Sequence, residues 1–196
     1  MRLLRHDPQV LMNLEKVCRL MRKYGLKCPV RKANPYRRMM KALKENNYAA
    51  NILNREFKEH GASSVLLTDI TYLKRQDGRS SYLSAIMDAG TKEILAHVVS
   101  PSLDLDFVLE TVEMLMDKHG AELKTDALLH SDQGSHYTSH KFTELLGNND
   151  LRRSMSRRAN CWDNAPQVSF FGHMKEEIDL SVCGTNEEVA AAVVIG

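Results

Sequence analysis

Residues 65–73, VLLTDITYL, are the stretch that decides the fold of this 196-residue chain. The run is apolar and rich in the branched and aromatic side chains that suit a buried β-strand. Asp69 stands in the middle of it, where a carboxylate costs free energy unless something compensates its charge. The stretch therefore predicts a buried strand that carries a functional group.

The residues that follow predict a hairpin and then alternating helices and strands. Residues 76–79, QDGR, have the composition of a hairpin turn, and residues 82–87 and 94–99 have that of its partner strands. Further elements are predicted at residues 104–119 (a helix closed by Gly120), 127–130 (a strand), 140–146 (a helix), 151–154 (an edge strand) and 164–178 (a helix). This order predicts an α/β fold with a mixed sheet and helices on its faces.

Charge is unevenly distributed along the chain. Residues 1–60 contain 15 Lys and Arg against 5 Asp and Glu, whereas residues 61–196 contain 12 against 20. A basic arm would neutralise DNA phosphates and an acidic core would hold cations, which favours a DNA-handling protein. A solvated helical surface is the alternative explanation of the basic arm.

The basic arm also predicts two helices. Residues 13–24 have apolar side chains at helical spacing, with Gly25 as a stop signal. Asn34-Pro35 opens a second helix, because proline is tolerated at the first helical position.

The sequence favours a cytoplasmic protein over a membrane or secreted one. No apolar run approaches the roughly 18 residues of a membrane span, and residues 1–6 lack the apolar core of a signal peptide. A cytoplasmic protein without a membrane partner is predicted. The four cysteines show no C-x-x-C pair, so free thiols are expected: Cys18, Cys28, Cys161 and Cys183.

Three short motifs in order carry the functional information. They are TDITY at residues 68–72, HSDQGS at 130–135 and CWDNAPQVSFF at 161–171. Together they resemble the integrase-like catalytic core of transposases from IS3-type insertion sequences, in the DDE superfamily. In that family the third motif usually reads DNAPxESFF, and the glutamate follows the second aspartate with 35 residues between them. Position 168 has this spacing from Asp132, but it is Val168.

The resemblance implies a fold and a domain organisation. It implies a ribonuclease-H-like mixed five-stranded sheet flanked by helices, preceded by a small basic helical segment. On this basis residues 1–60 are the remnant of a DNA-binding helix-turn-helix region, 61–182 are the catalytic core, and 183–196 are a truncated C-terminal helix. The chain is thus expected to be truncated at both ends.

The resemblance also implies a reaction. Transposases of this type cleave the 3′ ends of the element and transfer the strand to target DNA, using two Mg²⁺ or Mn²⁺ ions held by three carboxylates. The catalytic positions would be Asp69, Asp132 and Val168, of which only the two aspartates can bind metal. No substitute is visible one turn away, because position 172 is Gly172. Impaired two-metal catalysis is therefore expected.

Further residues are candidates for binding the double-stranded DNA of the element ends and target. Lys175 lies seven residues after position 168, on the same helix face, where the family has a basic DNA contact. A second basic cluster is expected in a flexible loop: Arg152, Arg153, Arg157 and Arg158. Trp162 would stack on a base or, in the favoured alternative, be buried as an anchor for the following helix. Phe170 and Phe171 are expected to pack in the core.

Two histidines flank Asp132 without forming a good zinc pattern. His130 and His136 are expected to form hydrogen bonds or a contact with the substrate. Residues 133–135 are expected to form a tight turn that presents Asp132.

Two functions of different classes stay open at this point. The first is an impaired transposase that acts as an oligomer on DNA in the nucleoid. The second is a non-catalytic fragment that binds DNA and multimerises. A stand-alone ribonuclease-H-type nuclease is disfavoured by the basic arm and the DNAPQ segment.

Overall fold

The computed structural model describes residues 14–26, 47–57, 60–157 and 161–195. These residues fall in two units, 1–42 and 43–196. In the first unit, helix α1 spans Leu14–Lys23, and Gly25 follows it with a φ of +62°, as the predicted stop requires. The helix predicted to open at Asn34-Pro35 lies outside the described residues.

The second unit is built on five strands in the order β3-β2-β1-β4-β5. β1 pairs antiparallel with β2 and parallel with β4, and β4 pairs parallel with β5. The strands are β1 Val65–Lys74, β2 Ser80–Asp88, β3 Ile94–Ser100, β4 Leu128–Ser131 and β5 Arg152–Met155. The mixed five-stranded sheet predicted from the sequence is confirmed.

Helices cover both faces of this sheet. They are α2 Asp106–His119, α3 His140–Asn148, α4 Ala165–Glu177 and α5 Asn186–Ile195, with short 3₁₀ helices at Gly120–Glu122, Cys161–Asn164 and Leu180–Val182. Apolar residues of α2 and α3 pack on one face, where Leu66 and Ile86 lie. Apolar residues of α4 and α5 pack on the other, against Leu73, Leu83 and Ala85. The central strand is therefore buried on both sides, which explains its continuous apolar run.

One detail differs from the sequence prediction. Gly120 follows α2 but has a φ of −52° and begins a 3₁₀ helix, so the chain stays helical there and does not adopt the left-handed conformation of a typical helix cap. Residues 47–57 belong to the second unit. Leu53, for example, is buried beside Val65 and Leu67.

The C-terminal residues are also part of this unit. Val189 of α5 and Cys183 are buried with Phe171 of α4.

The hairpin turn is as predicted, with Gly78 at a φ of +79° between β1 and β2. Within the described ranges, no helix is long and apolar enough to cross a membrane.

Candidate functional site

Asp69 lies on β1, and Asp132 directly follows the neighbouring parallel strand β4. Leu67 of β1 is paired with His130 of β4, and each aspartate lies two residues further along its own chain. Adjacent strands are about 4.8 Å apart, so this register brings the two carboxylates side by side. Asp132 directly follows the carboxyl end of β4. Ligand sites in open α/β sheets tend to lie at the carboxyl ends of the strands.

The environment of Asp69 opposes its ionisation. Burial raises the pKa of Asp69 to about 6, the backbone N–H of Ile70 lowers it, and the charge of Asp132 raises it again. The Ile70 N–H donates to Asp69 Oδ1 at 2.8 Å. A bound cation would offset both the burial and the repulsion between the carboxylates.

A tight turn presents Asp132, as the sequence predicts. The backbone N–H of Gly134 donates to Asp132 Oδ1 at 2.7 Å, and the Gln133 side chain donates to the carbonyl of Ser156 at 3.0 Å. A Cβ atom at position 134 would meet Asp132 Oδ1 at 2.8 Å. Only glycine leaves room for this orientation of the carboxylate.

The start of α4 lies against the strands beside Asp69. Asn164 Nδ2 donates to the carbonyl of Thr68, the residue before Asp69, at 3.4 Å. Gln167 Nε2 donates to the carbonyl of Ala85 at 3.5 Å, and Ala85 is directly opposite Asp69 in the β1–β2 pair. Val168, the next residue, is 48% exposed.

The carboxylate oxygens of Asp69 and Asp132 are better suited to bind one hard cation than two. Carboxylate oxygens are the ligands that Mg²⁺ and Mn²⁺ prefer, and the paired aspartates provide them. Valine has no donor atom, so position 168 adds nothing to this pair. Across the described parts of the chain, no group of three or more His, Cys, Asp or Glu is placed to hold a metal ion.

Asp163 is close in sequence to position 168, but its carboxylate binds other residues of the protein. Its carboxylate is buried and accepts hydrogen bonds from Asn51, Arg55 and Arg157. Arg157 alone donates its backbone N–H at 2.9 Å, Nε at 3.0 Å and Nη2 at 2.9 Å. Hydrogen bonds from Arg157 hold the pKa of Asp163 well below its usual range. This cluster ties the start of α4 to residues 51–55.

Two arginines of the predicted cluster lie on a strand and not in a loop. Arg152 and Arg153 lie on β5, so successive side chains alternate between faces and the two arginines do not form one patch. Arg153 is half-buried and donates to the carbonyl of Asn47 and to Thr143 Oγ1. Arg157 binds Asp163, and Arg158 lies outside the described residues.

Trp162 and Lys175 are on the surface. Trp162 is 69% exposed, so the favoured expectation of a buried anchor is wrong and the ring is available for stacking. Lys175 is exposed on α4, and partial desolvation of its ammonium group lowers its pKa. Phe171 is buried as predicted, and Phe170 packs against the same apolar cluster.

The two histidines form hydrogen bonds, one of the roles expected for them. His130 is fully buried, with Nδ1 2.9 Å from Ser154 Oγ and Nε2 3.0 Å from Ser156 Oγ. Burial lowers its pKa to about 4. His136 Nε2 lies 3.2 Å from the carbonyl of Leu103.

Some residues around the aspartates were not anticipated from the sequence. Tyr137 is buried, its hydroxyl lies 3.4 Å from Thr68 Oγ1, and burial together with the charges of the aspartates raises its pKa. The contacts of Asn164 and Asp163 were also missed. The contacts of Asn164 with Thr68, and of Asp163 with Asn51 and Arg55, join residues 96 to 112 positions apart, and no local pattern signals them.

Solved structures with this fold come from retroviral integrases. A catalytic core domain of BIV integrase aligns with a TM-score of 0.53 at 15% identity, over 68% of this chain and 82% of that one. A chain of the simian T-cell lymphotropic virus intasome aligns with a TM-score of 0.59 at 12% identity, over 74% of this chain and 51% of that one. These similarities show a ribonuclease-H-like fold.

Curated relatives come from bacterial insertion sequences. An uncharacterized transposase-like protein of Haemophilus influenzae is 33% identical over 86% of this chain and 74% of its own length. The putative transposase InsK for insertion sequence element IS150 of Escherichia coli is 33% identical over 84% of this chain. The IS600 31 kDa protein of Shigella sonnei is 27% identical over 94%. The chain spans 56% of the InsK length and 66% of the IS600 protein length.

The integrase core domain family matches residues 59–161, which include both aspartates and all five strands. The resemblance predicted from three motifs is thereby confirmed. The chain belongs to the integrase core domain family and is related within it to the transposases of bacterial insertion sequences.

Proposed function

We propose that this chain is a transposase core for 3′-end cleavage and strand transfer, silenced at one of its three ligand positions. One observation carries the proposal: Asp69 lies on β1 and Asp132 directly follows the neighbouring parallel strand β4, while position 168 on α4 is a valine. The aspartates are the metal-binding residues of the proposal. Val168 leaves the pair without its third carboxylate.

Both reactions are displacements at phosphorus. In cleavage, a water oxygen bonds to phosphorus, the bond to the 3′ oxygen breaks, and a free 3′-OH remains. In strand transfer, the oxygen of that 3′-OH bonds to the phosphorus of a target phosphodiester, the bond from this phosphorus to the target's 3′ oxygen breaks, and a 3′-OH is left on the target strand. Bound Mg²⁺ or Mn²⁺ would supply stabilisation of negative charge on the attacking and leaving oxygens.

The residues of this chain would hold and orient the reacting groups. Asp69 must be ionised to bind a cation, and its raised pKa makes that step dependent on pH. Asp132 is oriented by its bond to Gly134. Position 168 would complete the site only as a carboxylate.

Double-stranded DNA is the proposed partner. Lys175 lies about two helical turns beyond position 168 and would contact a phosphate, and exposed Trp162 would stack on a base. DNA contacts also stay a prediction for four arginines: Arg152, Arg153, Arg157 and Arg158. Arg153 and Arg157 already donate hydrogen bonds within the protein, so they would contact DNA only through their remaining N–H groups. We further propose that the protein acts as a homo-oligomer on DNA in the cytoplasm, associated with the nucleoid.

The test is metal-dependent nicking of a labelled duplex by this chain and by its Val168→Glu variant. The proposal expects Mg²⁺- or Mn²⁺-dependent cleavage by the variant and little or none by the unchanged chain. A Val168→Gln variant, similar in size but uncharged, is the matched control and should stay inactive. Cleavage at equal rates by the unchanged chain and the Val168→Glu variant would contradict the proposal.

A second function is favoured by a separate observation. Since no three-residue metal cluster exists among the described side chains, the chain could act without catalysis as a DNA-binding and multimerising protein. Salt-sensitive DNA binding by the unchanged chain, together with inactivity of Val168→Glu, would select this alternative.

A further inference from the structure

Two buried amide side chains connect the start of α4 to the backbone on either side of Asp69. Asn164 reaches the carbonyl of Thr68 and Gln167 reaches that of Ala85, as described above. Asn164 immediately precedes α4, where asparagine commonly caps the helix, yet its side chain makes no capping hydrogen bond. The amide is used for the strand instead.

This arrangement carries a cost in stability. Asn164 is 4% exposed and Gln167 is fully buried. Their side-chain oxygens, Asn164 Oδ1 and Gln167 Oε1, are buried with no hydrogen-bond partner in the part of the chain that the structure describes. A buried oxygen without a hydrogen-bond partner destabilises the fold, and an apolar side chain of similar shape would avoid that cost. Two such groups beside Asp69 indicate a role other than stability.

The helix geometry specifies that role. Asn164 directly precedes α4 and Gln167 lies in its first turn, and both side chains are buried. Val168 follows Gln167 about 100° further around the helix. It is 48% exposed, so it lies at the border between the buried face and solvent. Rotation of α4 about its axis would therefore change the direction in which residue 168 projects.

We propose that Asn164 and Gln167 are positioning residues that fix the rotation of α4 and so hold residue 168 over Asp69. This inference rests on the proposed function, because it assigns the two amides to the third ligand position. The amides do not touch the cation or the DNA. They act through the residue at position 168.

The test compares the loss of each amide in two backgrounds, one that retains Val168 and one with Val168→Glu. If the amides position residue 168, their loss weakens metal binding only when that residue is a ligand. Gln167→Met and Asn164→Ala are each made in the unchanged chain and in the Val168→Glu variant, and Mn²⁺ dissociation constants are measured by calorimetry or electron paramagnetic resonance. Thermal unfolding of every variant confirms that it is folded. The two independent substitutions guard against one of them failing to fold.

The expected pattern is a difference between backgrounds. In the Val168→Glu background each substitution should weaken Mn²⁺ binding about tenfold or more, the usual effect of removing a residue that orients a ligand. In the unchanged chain the same substitutions should leave Mn²⁺ affinity within about twofold, since residue 168 then contributes no ligand. Met174→Ala, on the same buried face two turns further on, is the control for lost stability and should not change the affinity in either background.

Two results would overturn the inference. Equal weakening in both backgrounds would show that the amides act through Asp69 or Asp132, and no weakening in either would show that they do not position the site. The proposed function fails differently. In that case Val168→Glu alone would not tighten Mn²⁺ binding, and the assignment of position 168 would fall together with the role of the amides.

Discussion

Gly134 donates its backbone N–H to the carboxylate of Asp132 across a turn so tight that a Cβ atom at position 134 would lie 2.8 Å from Asp132 Oδ1. We therefore predict that Gly134→Ala turns this carboxylate aside, because the side chain can move more easily than the backbone. In the Val168→Glu background, Mn²⁺ affinity should fall about tenfold while the melting temperature changes little. Gly147→Ala, where a Cβ atom meets nothing within 4 Å, is the matched control. Unchanged affinity in Gly134→Ala would contradict the prediction.

Asp69 should make the folded state less stable as pH rises. Its pKa is raised from 3.8 to about 6, so between these values the folded chain binds more protons than the unfolded chain. Stability is therefore lost between pH 4 and 6, and the full penalty, up to roughly 3 kcal/mol, persists above pH 6. Asp69→Asn should be more stable than the unchanged chain at pH 7.5 and similar to it near pH 3.5.

Urea unfolding of both proteins at the two pH values measures this difference. Mn²⁺ should reduce it at pH 7.5, because the ion stabilises the folded chain only when Asp69 is ionised. A pH-independent difference between the proteins would show that burial does not act on the charge of Asp69.

His130 should stay neutral well below the usual pKa of histidine. Burial between Ser154 and Ser156 lowers its pKa from 6.5 to about 4. The unfolded chain then binds a proton that the folded chain does not, so this group destabilises the fold as pH falls from 6.5 towards 4. Nuclear magnetic resonance of labelled histidine should show no titration of His130 between pH 7 and 5. A midpoint near 6.5 would contradict this assignment.

Asp163 should matter for stability rather than for metal binding. Asp163→Asn removes the charge that accepts hydrogen bonds from Arg55 and Arg157, and charged hydrogen bonds contribute about 1.5–3 kcal/mol each. We expect Asp163→Asn to lower the free energy of unfolding by on the order of 3 kcal/mol. When Val168 is retained, this substitution should leave the Mn²⁺ affinity as it is without the substitution. Chemical denaturation and calorimetry provide the two measurements. Weaker Mn²⁺ binding without lost stability would identify Asp163 as a ligand.

The fold could be predicted because its signals are local. The apolar run of residues 65–73, the QDGR turn and the helical spacing of residues 104–119 each report on a few consecutive positions. The motif intervals then related distant segments, which identified Asp69, Asp132 and position 168 together. The register of β1 and β4, and the influence of the Asp132 charge on Asp69, agree with a site in which the two aspartates are neighbours.

The surroundings of the site could not be predicted in the same way. A tryptophan before a helix is as compatible with burial as with exposure, and only tertiary packing decides that Trp162 is exposed. Likewise, the positive charge of Arg157 is compatible with a DNA contact. In the folded chain, however, Arg157 binds the buried carboxylate of Asp163, six residues away. Asp163 also accepts hydrogen bonds from Asn51 and Arg55, more than 100 positions away in the chain, and no local pattern signals these contacts.

The central claim is that Asp69, Asp132 and position 168 form one site. The most direct measurement is Mn²⁺-dependent nicking of a labelled duplex by Val168→Glu, compared with Val168→Glu carrying Asp69→Asn. We expect cleavage by the first protein and its loss in the second, although Asp69→Asn should make the protein more stable at neutral pH. Equal cleavage by both proteins would contradict it, because the activity would then not depend on Asp69.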